Sequence, residues 1–367
     1  MSLCIRIALM SVADMQNYGD TLFPFVARRE LRRRMRNVEF RFFTPTDQVI
    51  EGERFYSYSR ENLNNFSPNV ILVIGGEVIH EFEIIWERAY KNVKGKIRSG
   101  KVSDIFFDWL DYPCAFKGWF SVGAIGLPSG KANEYIGMLD YVGVRGVLSK
   151  KILEDMVLQR NDRRVRIVPD IGWIFLRNIE ALNNDLSLSI PKLERYMICN
   201  VNTTTIDKDD ADKVRMAIID FARNSGFQVV ETVQMVGRHE SLFRDDDNVI
   251  RLGHLNLRSQ LKLLEGCSLY FGSSLHYAIT ALSNHHPAGI IHKKALTKFQ
   301  DMFGHLMITD KWFSDNWGDS TAILQSLRNE ENDDLLAKYV DFVQGCLDSR
   351  LDELCEMIER KCMFGYV

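Results

Sequence analysis

Short apolar runs alternate with amphipathic stretches along almost the whole chain, and few architectures accept that rhythm. In the first half the apolar runs are 3–10, 38–43, 69–74, 118–123, 141–145 and 165–168, with helical patterns between them at 20–35, 82–92, 131–139 and 147–159. Apolar strands separated by helices predict a parallel sheet covered on both faces. Residues 179–194 break the pattern. They are polar and aperiodic and end near Pro191, which reads as a linker. The rhythm then restarts, with strands at 195–201, 227–231, 267–271 and 288–291 and helices at 209–224, 257–265 and 275–283. From 331 to 361, Leu335, Leu336, Tyr339, Val340, Val343, Leu347, Leu351, Leu354 and Ile358 recur at helical spacing, so one long helix closes the chain as a strap. The expected organisation is a first doubly wound domain over 1–178, a linker at 179–194, a second over 195–325 and a helical segment over 326–367.

Two such domains in succession lead us to expect a cleft that faces the carboxyl ends of both sheets, where ligands of doubly wound sheets bind. Composition agrees with globular domains. The 367 residues are 46% hydrophobic and 26% charged, ample for buried cores. A formal charge of −3 argues against general nucleic-acid binding. Seven cysteines are scattered without a CxxC pair, which argues against a zinc knuckle or a disulfide framework and fits a reducing, cytoplasmic setting. The chain opens on a strand-like run without signal-peptide order, and no apolar stretch reaches the roughly 20 residues that cross a bilayer. One basic cluster, Arg28, Arg29, Arg32, Arg33, Arg34 and Arg36, reads first as a solvated helix face and second as a peripheral contact for anionic lipid or an acidic polymer.

The strand-to-helix loops are where chemistry is expected. Asn17, Gly19 and Asp20 follow the first strand. Gly19 suits a tight turn, Asp20 suits a helix cap, and the free amides suit an anion or a sugar hydroxyl. Gly75 and Gly76 end a strand where backbone can approach a ligand, and Glu77 and His80 follow as groups able to bind or activate a hydroxyl. The pair is neither a dinucleotide fingerprint nor a P-loop. Arg145 ends the 141–145 strand and suits a phosphate or carboxylate, or a plain ion pair. Asp170 follows the last strand of the first domain. In the second domain Ser273 and Ser274 lie between a strand and a helix whose first turn carries His276, an arrangement suited to an oxyanion or phosphate. Lys293 and Lys294 follow the next strand, where they would neutralise a phosphate.

In this order the motifs resemble the polysaccharide pyruvyl transferases. The residues that carry the likeness are Asn17/Gly19/Asp20, Gly75/Gly76, Val142/Val144/Arg145/Ser149, Val168/Pro169/Asp170, Ser273/His276/Ala281 and Lys293 or Lys294, spread over residues 5–300. The resemblance implies two Rossmann-like domains facing each other in a glycosyltransferase-B-like arrangement. It also implies transfer of a pyruvyl group from phosphoenolpyruvate to two hydroxyls of a glycan or lipid-linked sugar, without metal or other cofactor, in surface or exopolysaccharide synthesis. His276 would be the acid/base. Arg145 and Lys293 or Lys294 would balance the donor's charge. Asn17, Asp20 and Glu77 would orient the acceptor. The chain departs from the family pattern at two places: Ser274 stands where Arg-x-His is usual, and Glu77 where a third glycine is usual. Two alternatives stay open. One is a nucleotide-sugar glycosyltransferase of the same fold, with Glu231 on the ribose; the other is a non-catalytic member that binds glycan.

Overall fold

The computed structural model describes residues 4–15, 17–76, 109–125, 136–156, 165–174, 192–233, 240–253, 255–292, 296–303, 312–328 and 331–364. Glu77, His80, Lys293, Lys294, the 82–92 helix and residues 179–191 of the expected linker lie outside them. The chain divides into two compact units. The first comprises Met1–Gln16, Asp20–Ile171 and Gly345–Val367; the second comprises Asn17–Gly19 and Gly172–Gln344.

The first unit is built on eight strands: β1 (Ile5–Met10), β2 (Val38–Thr44), β3 (Gln48–Ile50), β4 (Glu53–Ser57), β5 (Val70–Ile74), β6 (Phe116–Val122), β7 (Tyr141–Val144) and β8 (Val165–Ile167). Their order is β3-β4-β2-β1-β5-β6-β7-β8, and every pairing is parallel except β3 with β4. All five residues of β5 are buried, as a central parallel strand requires. Among the described residues its helices are α1 (Tyr18–Arg34), α2 (Arg60–Phe66) and α3 (Val147–Met156). Pro24 inside α1 has no N–H to give the carbonyl of Asp20, one turn earlier. The β3–β4 hairpin was absent from the sequence expectation. Its turn sets Glu51 and Gly52 at φ of 51° and 78°, the paired positive values of a tight hairpin.

The second unit carries β9 (Tyr196–Asn200), β10 (Gln228–Thr232), β11 (Ile250–Leu252), β12 (Leu269–Gly272), β13 (Ala288–Ile291) and β14 (Phe313–Ser314). They form one parallel sheet in the order β11-β10-β9-β12-β13-β14. Among the described residues its helices are α4 (Lys208–Ser225), α5 (Leu257–Gly266), α6 (Leu275–Ser283), α7 (Leu296–Phe303) and α8 (Ser320–Ser326). The ends of α4 follow local chemistry. The side chain of Asp207 accepts from the amide of Asp210, and Gly226 closes the helix at φ 67°.

The final helix, α9 (Glu331–Phe364), spans 34 residues. Up to Gln344 it is counted with the second unit, where Gln344 Nε2 donates to the Trp173 carbonyl at 3.0 Å. From Gly345 it is counted with the first unit, where Glu353 pairs with Arg166 and Lys361 with Asp140. No helix among the described residues is long and apolar enough to cross a membrane.

Strand order locates the loops that matter. In the first sheet the order reverses between β1 and β5; in the second it reverses between β9 and β12. Ligands of doubly wound sheets bind at such switch points, beyond the carboxyl ends of the strands. The loops after β1, β5 and β12 are the ones that hold Asn17–Asp20, Gly75–Gly76 and Ser273–Ser274.

Candidate active site

In the second unit, β12 ends at Gly272, a position where nothing larger passes the neighbouring strand. A Cβ there would overlap the carbonyl oxygen of Asn200. The next residue fastens the loop. Ser273 Oγ donates to the Ile291 carbonyl at 2.8 Å and accepts from the amide of Asn202 at 3.1 Å, so it ties the ends of three strands together. Ser274, fully buried, is the N-cap of α6, and its hydroxyl accepts from the amide of Tyr277 at 3.4 Å. Both hydroxyls expected to cradle an anion therefore serve the loop itself. The capping role also gives a local reason for serine where the family usually has arginine.

Every residue of α6 is buried, His276 included at 5% exposure. The imidazole lies against the first turn of α1. A Cβ on Gly19 would overlap Nδ1 and Cγ of His276, so position 19 accepts only glycine while the ring stands where it does. A hydrogen-bonded chain fastens the same two turns. Thr280 Oγ1 donates to the His276 carbonyl at 2.8 Å, and the Tyr18 hydroxyl lies 2.8 Å from Thr280 Oγ1. A threonine has one hydroxyl proton, and it is committed to His276, so Tyr18 is the donor to Thr280. The Tyr18 and Tyr277 rings meet at a tilt of 54° with centroids 4.7 Å apart, and Tyr277 Oη donates to Gln260 Oε1 at 2.6 Å. Burial pushes the phenols of Tyr18, Tyr270 and Tyr277 up from their ordinary range, so they stay neutral. None of Tyr18, Tyr277 and Thr280 was singled out from the sequence. The available signal was the four-residue spacing of His276 and Thr280, which puts them on one helix face.

In the first unit the sequence candidates occupy strand ends, and they pack. Helix α1 begins at Tyr18, so Asp20 is not its cap. It lies inside the first turn, where its charge meets the positive end of the helix, and the half-buried Asn17 precedes the helix. Gly75 and Gly76 have φ of 61° and 74°. A Cβ on Gly75 would overlap the Phe23 ring, and one on Gly76 would sit 3.4 Å from Asp20 Oδ1. The close approach at Gly75 is thus made by an α1 side chain. Arg145, 2% exposed, directly follows β7, and its amide donates to the Val122 carbonyl at 2.9 Å. Asp170, also 2% exposed, follows β8. Ser121, at a φ of 62°, holds that last loop: its Oγ donates to the Pro169 carbonyl at 3.0 Å and accepts from the Ile171 amide at 2.9 Å. Ser149 Oγ accepts from the Ala124 amide at 3.0 Å.

Glu231, at the end of β10, is 4% exposed. Its carboxylate accepts from the Leu242 amide at 2.8 Å and from Ser241 Oγ at 2.6 Å. Among the described residues, no group of three or more His, Cys, Asp or Glu is placed to hold a metal ion.

Two parallel sheets with covering helices and a long terminal helix place the chain in the glycosyltransferase-B fold class, and solved structures agree. UDP-GlcNAc 2-epimerase from Methanocaldococcus jannaschii superposes with a TM-score of 0.55 at 11% identity, covering 89% of this chain and 94% of that one. The epimerase from Neisseria meningitidis bound to UDP-GlcNAc gives 0.54 at 10% identity, with 98% and 100% covered. The glycotransferase of kitacinnamycin gives 0.54 at 12%, with 97% and 98% covered. At such identities the likeness speaks for fold alone. No curated protein matches the sequence. Within that fold class the family is defined by sequence: residues 17–291 match the polysaccharide pyruvyl transferases, and the chain belongs to that family. It is a transferase-type enzyme.

Proposed function

We propose that the protein transfers the pyruvyl group of phosphoenolpyruvate to two hydroxyls of a sugar, forming a cyclic ketal during synthesis of a surface or exopolysaccharide. One observation carries this reading. The family match begins at Asn17 and extends past His276, and within one unit the Asn17–Gly19 turn lies directly against the His276 imidazole.

The chemistry needs a proton at the methylene carbon of phosphoenolpyruvate. Protonation makes the adjacent carbon cation-like, and a sugar hydroxyl attacks it and gives up its proton. The carbon–oxygen bond to phosphate then breaks, and a second hydroxyl closes the ketal and loses its own proton. The sum is donor plus diol giving ketal plus inorganic phosphate. His276 is the acid/base in this scheme, and such a group contributes about 10²–10⁴-fold. The buried phenols around it keep the site poor in competing charge. Asn17, in the same unit as His276, is assigned to the acceptor hydroxyls.

A second reading is a nucleotide-sugar-dependent transferase, which draws on the UDP-GlcNAc-bound neighbour and on Glu231. That carboxylate is already engaged by Leu242 and Ser241, so the first reading is preferred. Thermal unfolding with phosphoenolpyruvate and with UDP-GlcNAc separates them without knowledge of the acceptor. Stabilisation by phosphoenolpyruvate alone is expected. Stabilisation by UDP-GlcNAc alone would replace the proposal with the second reading. His276→Ala is expected to lower phosphate release by about 10²–10⁴-fold while phosphoenolpyruvate still stabilises the variant. Unchanged turnover would remove His276 from the scheme.

A further inference from the structure

The edge of the first sheet carries arginines that are held but not neutralised. Of the basic cluster on α1, Arg28 pairs with Glu53 at 2.9 Å, Arg33 with Glu30 at 3.2 Å, and Arg34 with Glu30, Asp348 and Asp352 at 2.7, 2.6 and 2.7 Å. Arg32, Arg36, Arg41 and Arg54 make no ion pair among the described residues. Three of these four rest on aromatic rings instead. The Arg41 guanidinium carbon lies 4.7 Å from the Tyr56 centroid and 4.6 Å from that of Phe66. Arg54 lies 4.7 Å from Tyr56, and Arg32 lies 5.4 Å from Phe40. A guanidinium stacked on a ring loses rotamer freedom but keeps its in-plane N–H donors for a partner.

Register sets the strand-borne arginines in a row. Phe42 faces Phe55, which carries Arg41 to the position beside Arg54, and Val49 pairs with Arg54 across the hairpin. The row Arg41–Arg54–Val49 therefore lies on one face and spans three strands, about 10 Å. Val49 is 70% exposed, an aliphatic residue at the outer end of a row of cations. The acids nearby are Glu39, Asp47, Glu51, Glu53 and Glu61, and Asp47 accepts from the Ser57 amide at 3.1 Å. Of these, Glu53 is held by Arg28, and Glu39 faces Arg6 in register. Arg41 and Arg54 sit within their strands, away from the carboxyl ends that carry the candidate loops.

We propose that this β2–β4–β3 edge docks the protein on a bilayer surface rich in anionic lipid, with Arg41 and Arg54 on lipid phosphates and Val49 in the interfacial layer. Charge complementarity selects the partner, and the exposed aliphatic residue in the same row selects a membrane over a soluble polyanion. Placing the cations at the end of a sheet suits a flat surface. The inference is independent of the donor assigned above.

Co-sedimentation of the full chain with vesicles tests it. Vesicles of equal parts phosphatidylcholine and phosphatidylglycerol are expected to retain the protein, pure phosphatidylcholine is not, and added salt should weaken retention. Arg41→Gln and Arg54→Gln are each expected to lower partitioning about fivefold, and together about 25-fold. Val49→Asp should lower it as well. Arg223→Gln, on an exposed arginine paired with Asp220 in the second unit, removes the same charge and should change little. Circular dichroism confirms that each variant is folded. Equal binding to both vesicle types, or a double variant that binds like the parent, overturns the proposal. So does capture by soluble polygalacturonate with no retention on vesicles, which would assign the edge to an acidic polymer.

Discussion

Two glycine turns, one in each unit, look alike in sequence and do different work. Gly75 and Gly76 end an apolar strand at a switch point, and the space their missing side chains leave is taken by Phe23 and approached by Asp20, both from α1. Gly19 leaves a gap that is taken by the His276 imidazole. The first turn is closed by packing, the second by a group able to move a proton. A glycine in a loop thus announces close approach, but not what approaches.

Substitution at each turn should expose the difference. The largest effect on stability is expected at Gly75→Ala. The new methyl both strains a left-handed backbone and meets Phe23, together about 2–6 kcal/mol, read as a lowered midpoint in chemical denaturation. Phe23→Leu in the same chain should restore part of that loss. Gly19→Ala is expected to cost stability less, because it sits in a helix with ordinary backbone angles, and to cost turnover more. A ring displaced by about 1 Å loses on the order of 10²-fold. A Gly19→Ala enzyme with full turnover and a Gly75→Ala enzyme with an unchanged midpoint would together erase the distinction.

The contrast also shows what the sequence could reveal. The central strands were legible because 70–74 and 141–144 are buried on both faces and read as unbroken apolar runs. The β3–β4 hairpin and β11 were not. The strands at 48–50, 53–57 and 250–252 are short and lie at a sheet edge or next to one, and the last two carry charged residues, so the apolar signal fades. The loops of the candidate site were legible by position, since a strand followed by small residues marks a switch point. Their internal fastening was not. In sequence Ser273 and Ser274 suit an anion cradle because their hydroxyls are polar, yet one ties strand ends and the other caps a helix. The neighbour of Gly19 is a histidine far along the chain, and no local pattern carries that pairing.

A smaller effect is expected in the chain that links Tyr18, Thr280 and the His276 carbonyl. Thr280→Val leaves a buried phenol without its acceptor, at about 1–3 kcal/mol, whereas Tyr18→Phe removes a hydrogen bond and its donor together, at about 0.5–1.5 kcal/mol. The double variant should be less destabilised than the sum of the two, with a coupling of about 0.5–1.5 kcal/mol. Strict additivity in denaturant melts would mean the two turns are not fastened through this chain.

The smallest effect under ordinary conditions appears only at high pH, and it separates the second unit's phenols from the first unit's packing. Tyr18, Tyr270 and Tyr277 have folded pKa values raised above 10.0 by burial. Between the unfolded and folded values, the unfolded chain has lost protons that the folded chain keeps. The folded state then binds more protons, so stability falls as pH rises. The contribution of these groups is fully present below about pH 10 and is lost above it, at about 1.4 kcal/mol per pH unit for each phenol. Because Tyr18 must donate to Thr280, its ionisation also breaks the chain to His276. Tyr18→Phe should leave the pH dependence of stability near neutrality unchanged and make the alkaline slope shallower by about one proton. The measurement is denaturation midpoints taken from pH 8 upward, and parallel slopes for the variant and parent would show that the Tyr18 phenol is not held neutral by the fold.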